Sequence, residues 1–112
     1  GIFKIFDKHV DLSCLEHSYE KVRIGHIWNL EKQYKIDITK KISWYFAGGL
    51  FGGHKDRLIE FANIMKKTTL EFIKKHNYLV WEVNIWYMLY LNNKDLFDPY
   101  LCDHNNSMVN RY

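Results

Sequence analysis

YFAGGLFGGHKD, Tyr45–Asp56, decides how the chain reads, because it sets a β-rich run and a helical run on either side of a cluster of glycines. Ile42–Ala47 (ISWYFA) has the β-branched and aromatic content of a strand. Gly48, Gly49, Gly52 and Gly53 then occupy four of six positions, a density that predicts an abrupt end to the strand and a special turn. Two readings of that turn are open. Glycine permits positive φ and lets a sugar or phosphate approach the backbone with no Cβ in the way, or it only lets strand and helix pack closely. No Lys-Ser/Thr follows as in a Walker loop, and the spacing is not that of the dinucleotide fingerprint G-x-G-x-x-G.

Downstream, Leu58, Phe61, Ala62, Met65, Thr69, Phe72 and Ile73 recur at helical spacing. Asp56 and Glu60 near the start and Lys74, Lys75 and His76 at the end suit the helix dipole, so a helix over 54–76 with a stop at Asn77 is expected. Val80–Leu91 is apolar almost all round, which at that length suggests a helix buried on several sides with Glu82 and Asn84 embedded in it. Both polar side chains then need partners.

Upstream, Val22, Ile24, Trp28 and Leu30 keep largely to one parity and predict a strand within Lys21–Leu30. Asp11–Tyr19 reads as a short helical stretch, and Ile2–Phe6 as a strand or a helical turn. Leu96–Cys102 reads as a short strand broken by Pro99, before the polar run Asp103–Ser107. Strand and helix patterns alternate, so the expected class is α/β.

At 112 residues with no linker, repeat or low-complexity run, the chain is expected to form one domain, 1–112. Its 47% hydrophobic and 17% aromatic content is that of a folded chain, the aromatics serving a core or a surface that meets sugars, bases or protein. A net charge of +3 argues against nucleic-acid and membrane partners, and the paired lysines at 66–67 and 74–75 suit a solvated helix face. Cys14 and Cys102 fit no metal spacing, and reduced thiols in a cytoplasmic protein are expected. The opening Gly-Ile-Phe-Lys-Ile-Phe, apolar from the first residues and without Met, reads as the interior of a larger fold.

Two further segments hold candidate chemistry. In WEVNIW, Trp81–Trp86, the spacing puts Glu82 and Trp86 on one helix face, with Asn84 on another. Glu82 is either hydrogen-bonded within the fold or faces a cleft where it meets a substrate hydroxyl. Asp103 and His104, side by side on a loop, can converge on one cation, Mn²⁺ or Mg²⁺ in preference to Zn²⁺, with further ligands from elsewhere. An Asx-type turn with His104 exposed is the alternative.

In this order, YFAGGLFGGHKD, WEVNIW and PYLCDHNNS (Pro99–Ser107) resemble the C-terminal part of the HtrL/YibB-like proteins and related glycosyltransferases of GT-A-like fold. The GG-x-x-GG block is also similar to that of the histo-blood-group transferases. The resemblance implies a partial GT-A-like mixed sheet and transfer of a sugar from a nucleotide-sugar to a glycan acceptor hydroxyl, with Mn²⁺ or Mg²⁺. Gly48, Gly49, Gly52 and Gly53 would border the donor sugar, Glu82 would bind or deprotonate the acceptor, and Asp103 and His104 would lie at the metal-diphosphate end. Trp81, Asn84 and Trp86 are further candidates for contact with donor or acceptor. It also implies that the chain is the C-terminal part of a larger domain whose first half carries the base pocket and an acidic D-x-D-like motif. The chain alone would then be inactive, with sheet edges that favour association with that half or with another copy. Two other functions compete: a non-catalytic carbohydrate or protein interaction module, and a degenerate fragment that retains the motifs of its parent fold.

Overall fold

The computed structural model describes residues 12–112. The expectations for Ile2–Phe6 and for the start of the Asp11–Tyr19 stretch lie outside them. Three strands, β1 (Val22–His26), β2 (Phe46–Gly52) and β3 (Phe97–Leu101), form a mixed sheet in the order β2-β1-β3. β1 runs antiparallel to β2 and parallel to β3. Helices α1 (Lys55–His76), α2 (Glu82–Asn92) and α3 (Ser107–Asn110) complete the α/β fold, with single 3₁₀ turns at Ser13–Glu16 and Lys94–Leu96.

The long helix starts and stops where local chemistry permits. At its N-terminus the His54 Nδ1 accepts the Asp56 N–H at 3.2 Å, which satisfies one of the amides that the helix cannot pair. At its C-terminus Asn77 turns into the left-handed region at φ 61° and its N–H donates to the Ile73 carbonyl at 2.7 Å. Phe61 and Phe72 are the buried residues of α1, whereas Ala62 of the anticipated stripe is exposed. α2 is the more deeply embedded helix, with Val83–Tyr87, Leu89 and Tyr90 buried.

One face of the sheet carries both long helices. Val22, Ile24, Phe46 and Phe97 meet Phe61 and Phe72 of α1 and Val83, Trp86 and Tyr90 of α2 in the main core. Much of the aromatic content sits there as edge-to-face pairs, and the Tyr45 and Tyr87 rings stack with centroids 3.5 Å apart. The opposite face is covered by a smaller cluster of Ala47, Tyr100, Cys102 and Met108. Arg23 lies against that face between the Tyr19 and Tyr100 rings, each centroid 4.5 Å from its guanidinium carbon. Pro99 does not break β3, because β3 is an edge strand and one side of it needs no ladder hydrogen bonds. No helix among the described residues is long and apolar enough to cross a membrane.

The glycine segment corrects the expected turn. β2 does not end at Gly48 but runs through the glycines, because they form a bulge instead of a break. Ile24 pairs with Phe51 and His26 with Phe46, so two steps along β1 face five along β2. Ala47–Leu50 absorbs the excess, and Gly48 and Gly49 do so with φ of 68° and 85°, values that side chains with a Cβ rarely adopt. Beyond β1, Ile27 and Trp28 continue the pairing, their N–H groups donating hydrogen bonds to the carbonyls of Tyr45 and Trp44.

Candidate functional site

Parallel pairing of β1 with β3 and antiparallel pairing with β2 bring the C-terminal ends of β1 and β3 beside the start of β2. In α/β sheets, the carboxyl ends of parallel strands are where loops are free to build a site. Here the first turn of α2 and the loop after β3 each touch the bulge of β2. A Cβ on Gly48 would stand 3.2 Å from Val83 Cγ1 and 4.0 Å from Glu82 Oε1, so the carboxylate lies directly over the bulge. On the adjacent residue, the Ala47 carbonyl oxygen is 3.2 Å from His104 Nε2.

That contact assigns the imidazole tautomer. A carbonyl oxygen only accepts, so Nε2 carries the proton and the lone pair of the neutral ring is on Nδ1. The ring is also held edge-on by Trp44, with centroids 4.5 Å apart and planes at 84°. Asp103 Oδ1 accepts the His104 N–H at 2.7 Å, while the Asp103 N–H donates to Ser107 Oγ at 2.9 Å. Asn105 Oδ1 accepts the Ser107 N–H at 2.8 Å. The Asx-type turn read as an alternative is therefore present, but His104 is half-buried in it and not exposed.

Glu82 is exposed and needs no partner within the fold, and its place in the first turn of α2 suits the helix dipole. Trp81, just before the helix, is 47% exposed. Asn84 and Trp86 are different: both are core residues, and the contacts with donor or acceptor expected of them have no open surface on which to occur. The Asn84 carboxamide makes four internal hydrogen bonds. Its oxygen accepts the Ser43 N–H and hydroxyl at 2.7 and 2.8 Å, and its nitrogen donates to the Ile38 and Lys41 carbonyls at 2.8 and 2.9 Å. Trp86 is packed against Phe51 and Phe61, its indole N–H directed at Met65 Sδ.

The glycines divide in the same way. Gly48 lies beside Glu82, and Gly49 beside Met108 Cε. Gly52 and Gly53 serve packing: a Cβ on Gly52 would overlap the Tyr112 hydroxyl, and one on Gly53 the Lys21 carbonyl oxygen. Trp44, Val83 and the Ala47 carbonyl were not singled out in the sequence. Trp44 lies within a β-rich run, and nothing in the local pattern ties it to a histidine so distant in the chain.

Among the described residues, no three His, Cys, Asp or Glu side chains converge to hold a metal ion. Asp103 and His104 supply one carboxylate and one imidazole to this loop, donors of the kinds that Mn²⁺ or Mg²⁺ accepts. Cys102 is buried behind this loop. Burial first, and the neighbouring Asp103 carboxylate second, push its thiol up to about 11. Neither Cys14 nor Cys102 is in a disulfide. The chain matches no protein-family model, no curated protein and no solved structure.

Proposed function

We propose that the chain is part of a GT-A-like glycosyltransferase, with its sugar-handling site where the β2 bulge, the α2 N-terminus and the Asp103–His104 loop meet. One observation carries the reading: Glu82 and His104, from segments far apart in sequence, border two consecutive residues of the glycine strand. Gly48 lets Val83 and Glu82 sit close over the strand, exposed Gly49 offers backbone that a sugar ring approaches closely, and Trp81 offers an exposed indole beside Glu82. In this reading, the acceptor oxygen forms a bond to the anomeric carbon as the bond from that carbon to the diphosphate oxygen breaks. Glu82 orients the acceptor hydroxyl and takes its proton. Asp103 and His104 would hold Mn²⁺ or Mg²⁺, which when bound neutralises charge on the leaving diphosphate. The chain acts in the cytoplasm, and its sheet edges and exposed Leu79 and Leu101 meet an N-terminal segment or a second copy.

Isothermal titration with nucleotide-sugars, with and without Mn²⁺, tests the reading. Binding that needs the metal and weakens in His104→Ala supports it. Binding that is absent with every donor, for the chain and for a form extended at its N-terminus, removes it.

A second reading, a metal-independent carbohydrate module, is favoured by the exposure of Trp81. It predicts oligosaccharide binding without metal that is lost in Trp81→Ala and retained in His104→Ala. Trp86→Ala does not test it, since Trp86 is a core residue.

A further inference from the structure

Away from the bulge, the segment between β1 and β2 folds over a cleft of about 470 Å³, within the range of small-ligand sites. Trp28 and Tyr34 line it with aromatic surface, their ring centroids 4.8 Å apart. Lys35, Lys40 and Lys41 also line it, three basic residues against the single acidic residue Asp37. That carboxylate is engaged in its own turn, where it accepts the Thr39 hydroxyl and N–H. The same two bonds hold the Asp37 carboxyl below the usual carboxylate range.

The cleft is built from beneath. The buried Asn84 carboxamide fixes the Ile38 and Lys41 carbonyls, and the Lys40 and Lys41 amides both donate to the Asp37 carbonyl. Tyr45, also buried, accepts the Tyr34 N–H at 3.0 Å and donates to the Lys32 carbonyl at 3.2 Å. Two buried polar side chains that take no part in the proposed transfer chemistry thus hold both ends of one basic loop. Such anchoring fixes the loop backbone that carries the lysines without a ligand, which lowers the ordering cost of binding.

We propose that this cleft binds a small planar aromatic group that carries phosphate, a mononucleotide in chemical class. The rings supply apolar contact to the base, and the lysines supply charge to the phosphate, each lysine a compact ammonium on a flexible stem. The site does not depend on the sugar-transfer reading, since none of its residues is Gly48, Glu82, Asp103 or His104.

Titration of the ¹⁵N-labelled chain with adenosine monophosphate, adenosine and inorganic phosphate tests this. The nucleotide is expected to shift the Trp28 indole N–H and the amides of residues 34–41. Adenosine and phosphate should each bind at least about tenfold more weakly, because each keeps half of the recognition. Lys40→Glu with Lys41→Glu should weaken the nucleotide by about tenfold or more and leave the thermal midpoint near that of the parent, since both side chains are exposed. Glu82→Gln and His104→Ala should leave this binding unchanged, which separates it from donor binding at the bulge. The proposal is overturned if adenosine binds as well as its monophosphate, if phosphate alone matches the nucleotide, if the charge reversal has no effect, or if the shifts map elsewhere.

Discussion

Replacement of Asn84 by alanine is the perturbation whose size follows most directly from the structure. The carboxamide fills all four of its hydrogen-bonding positions with Ser43, Ile38 and Lys41, and both Asn84 and Ser43 are fully buried. At about 1 kcal/mol net for each bond, and more where a buried partner is left without one, the loss comes to about 3–5 kcal/mol. A chain of this size has about 5–15 kcal/mol in total, so Asn84→Ala should be markedly destabilised but still foldable. Urea unfolding followed by tryptophan fluorescence measures it, with a lowered midpoint at an unchanged slope. Asn84→Asp sharpens the test. It keeps the acceptor to Ser43 but turns the donor that faces the Ile38 and Lys41 carbonyls into a second acceptor, so at neutral pH it should be at least as unstable as alanine. Protonation restores a donor, which raises the carboxyl pKa in the folded state. The aspartate variant should therefore recover as pH falls, fully so below the unfolded value near 3.9, and lose that recovery as pH rises from there through the raised folded-state pKa. A stability of Asn84→Ala within about 1 kcal/mol of the parent, or an aspartate variant more stable than alanine at neutral pH, would refute the reasoning.

Gly48→Ala should lose about 1–2 kcal/mol, from the left-handed backbone at φ 68° and the tight approach to Val83, read as a lower midpoint in urea. Gly53→Ala, whose Cβ would overlap the Lys21 carbonyl, should fail to give folded protein on expression. Burial raises both the Cys102 thiol, to about 11, and the Tyr100 phenol above its usual range. The folded state thus holds protons that the unfolded chain releases first. Stability should be full below about pH 9 and decline as pH rises towards about 11, measured as a falling thermal midpoint, with a smaller decline in Cys102→Ala. If the sugar-transfer reading holds, Glu82→Gln should lower turnover by about 10²–10⁴-fold in a radiolabelled transfer assay without a change in the far-ultraviolet dichroism.

The parts of this fold legible in the sequence are those governed by neighbours along the chain. The 54–76 helix follows from apolar spacing, charge placement and Asn77, all local, and its observed bounds are Lys55–His76. The α2 segment was legible because a nearly unbroken apolar run of that length has few alternatives. The path of β2 through the glycines was not, because a bulge is a property of pairing with β1, and the Gly48–Gly49 pair alone does not say which strand lies opposite. In the same way, Asn84 and Glu82 read alike as polar residues in an apolar helix. Only the fold separates them, one against the Ser43 loop and the other at the exposed first turn. The proximity of Glu82 and His104 to the bulge rests on the sheet order, which no local signal encodes.

The most direct measurement of whether these segments form one site is paramagnetic relaxation by Mn²⁺ in the presence of a nucleotide-sugar, read at the backbone amides of the ¹⁵N-labelled chain. Gly48, Gly49, Glu82, Val83 and His104 should broaden together at low metal occupancy, and His104→Ala should abolish the effect at all five. Broadening confined to one of the three segments, or centred on residues far from Ala47, would contradict a shared sugar-handling site.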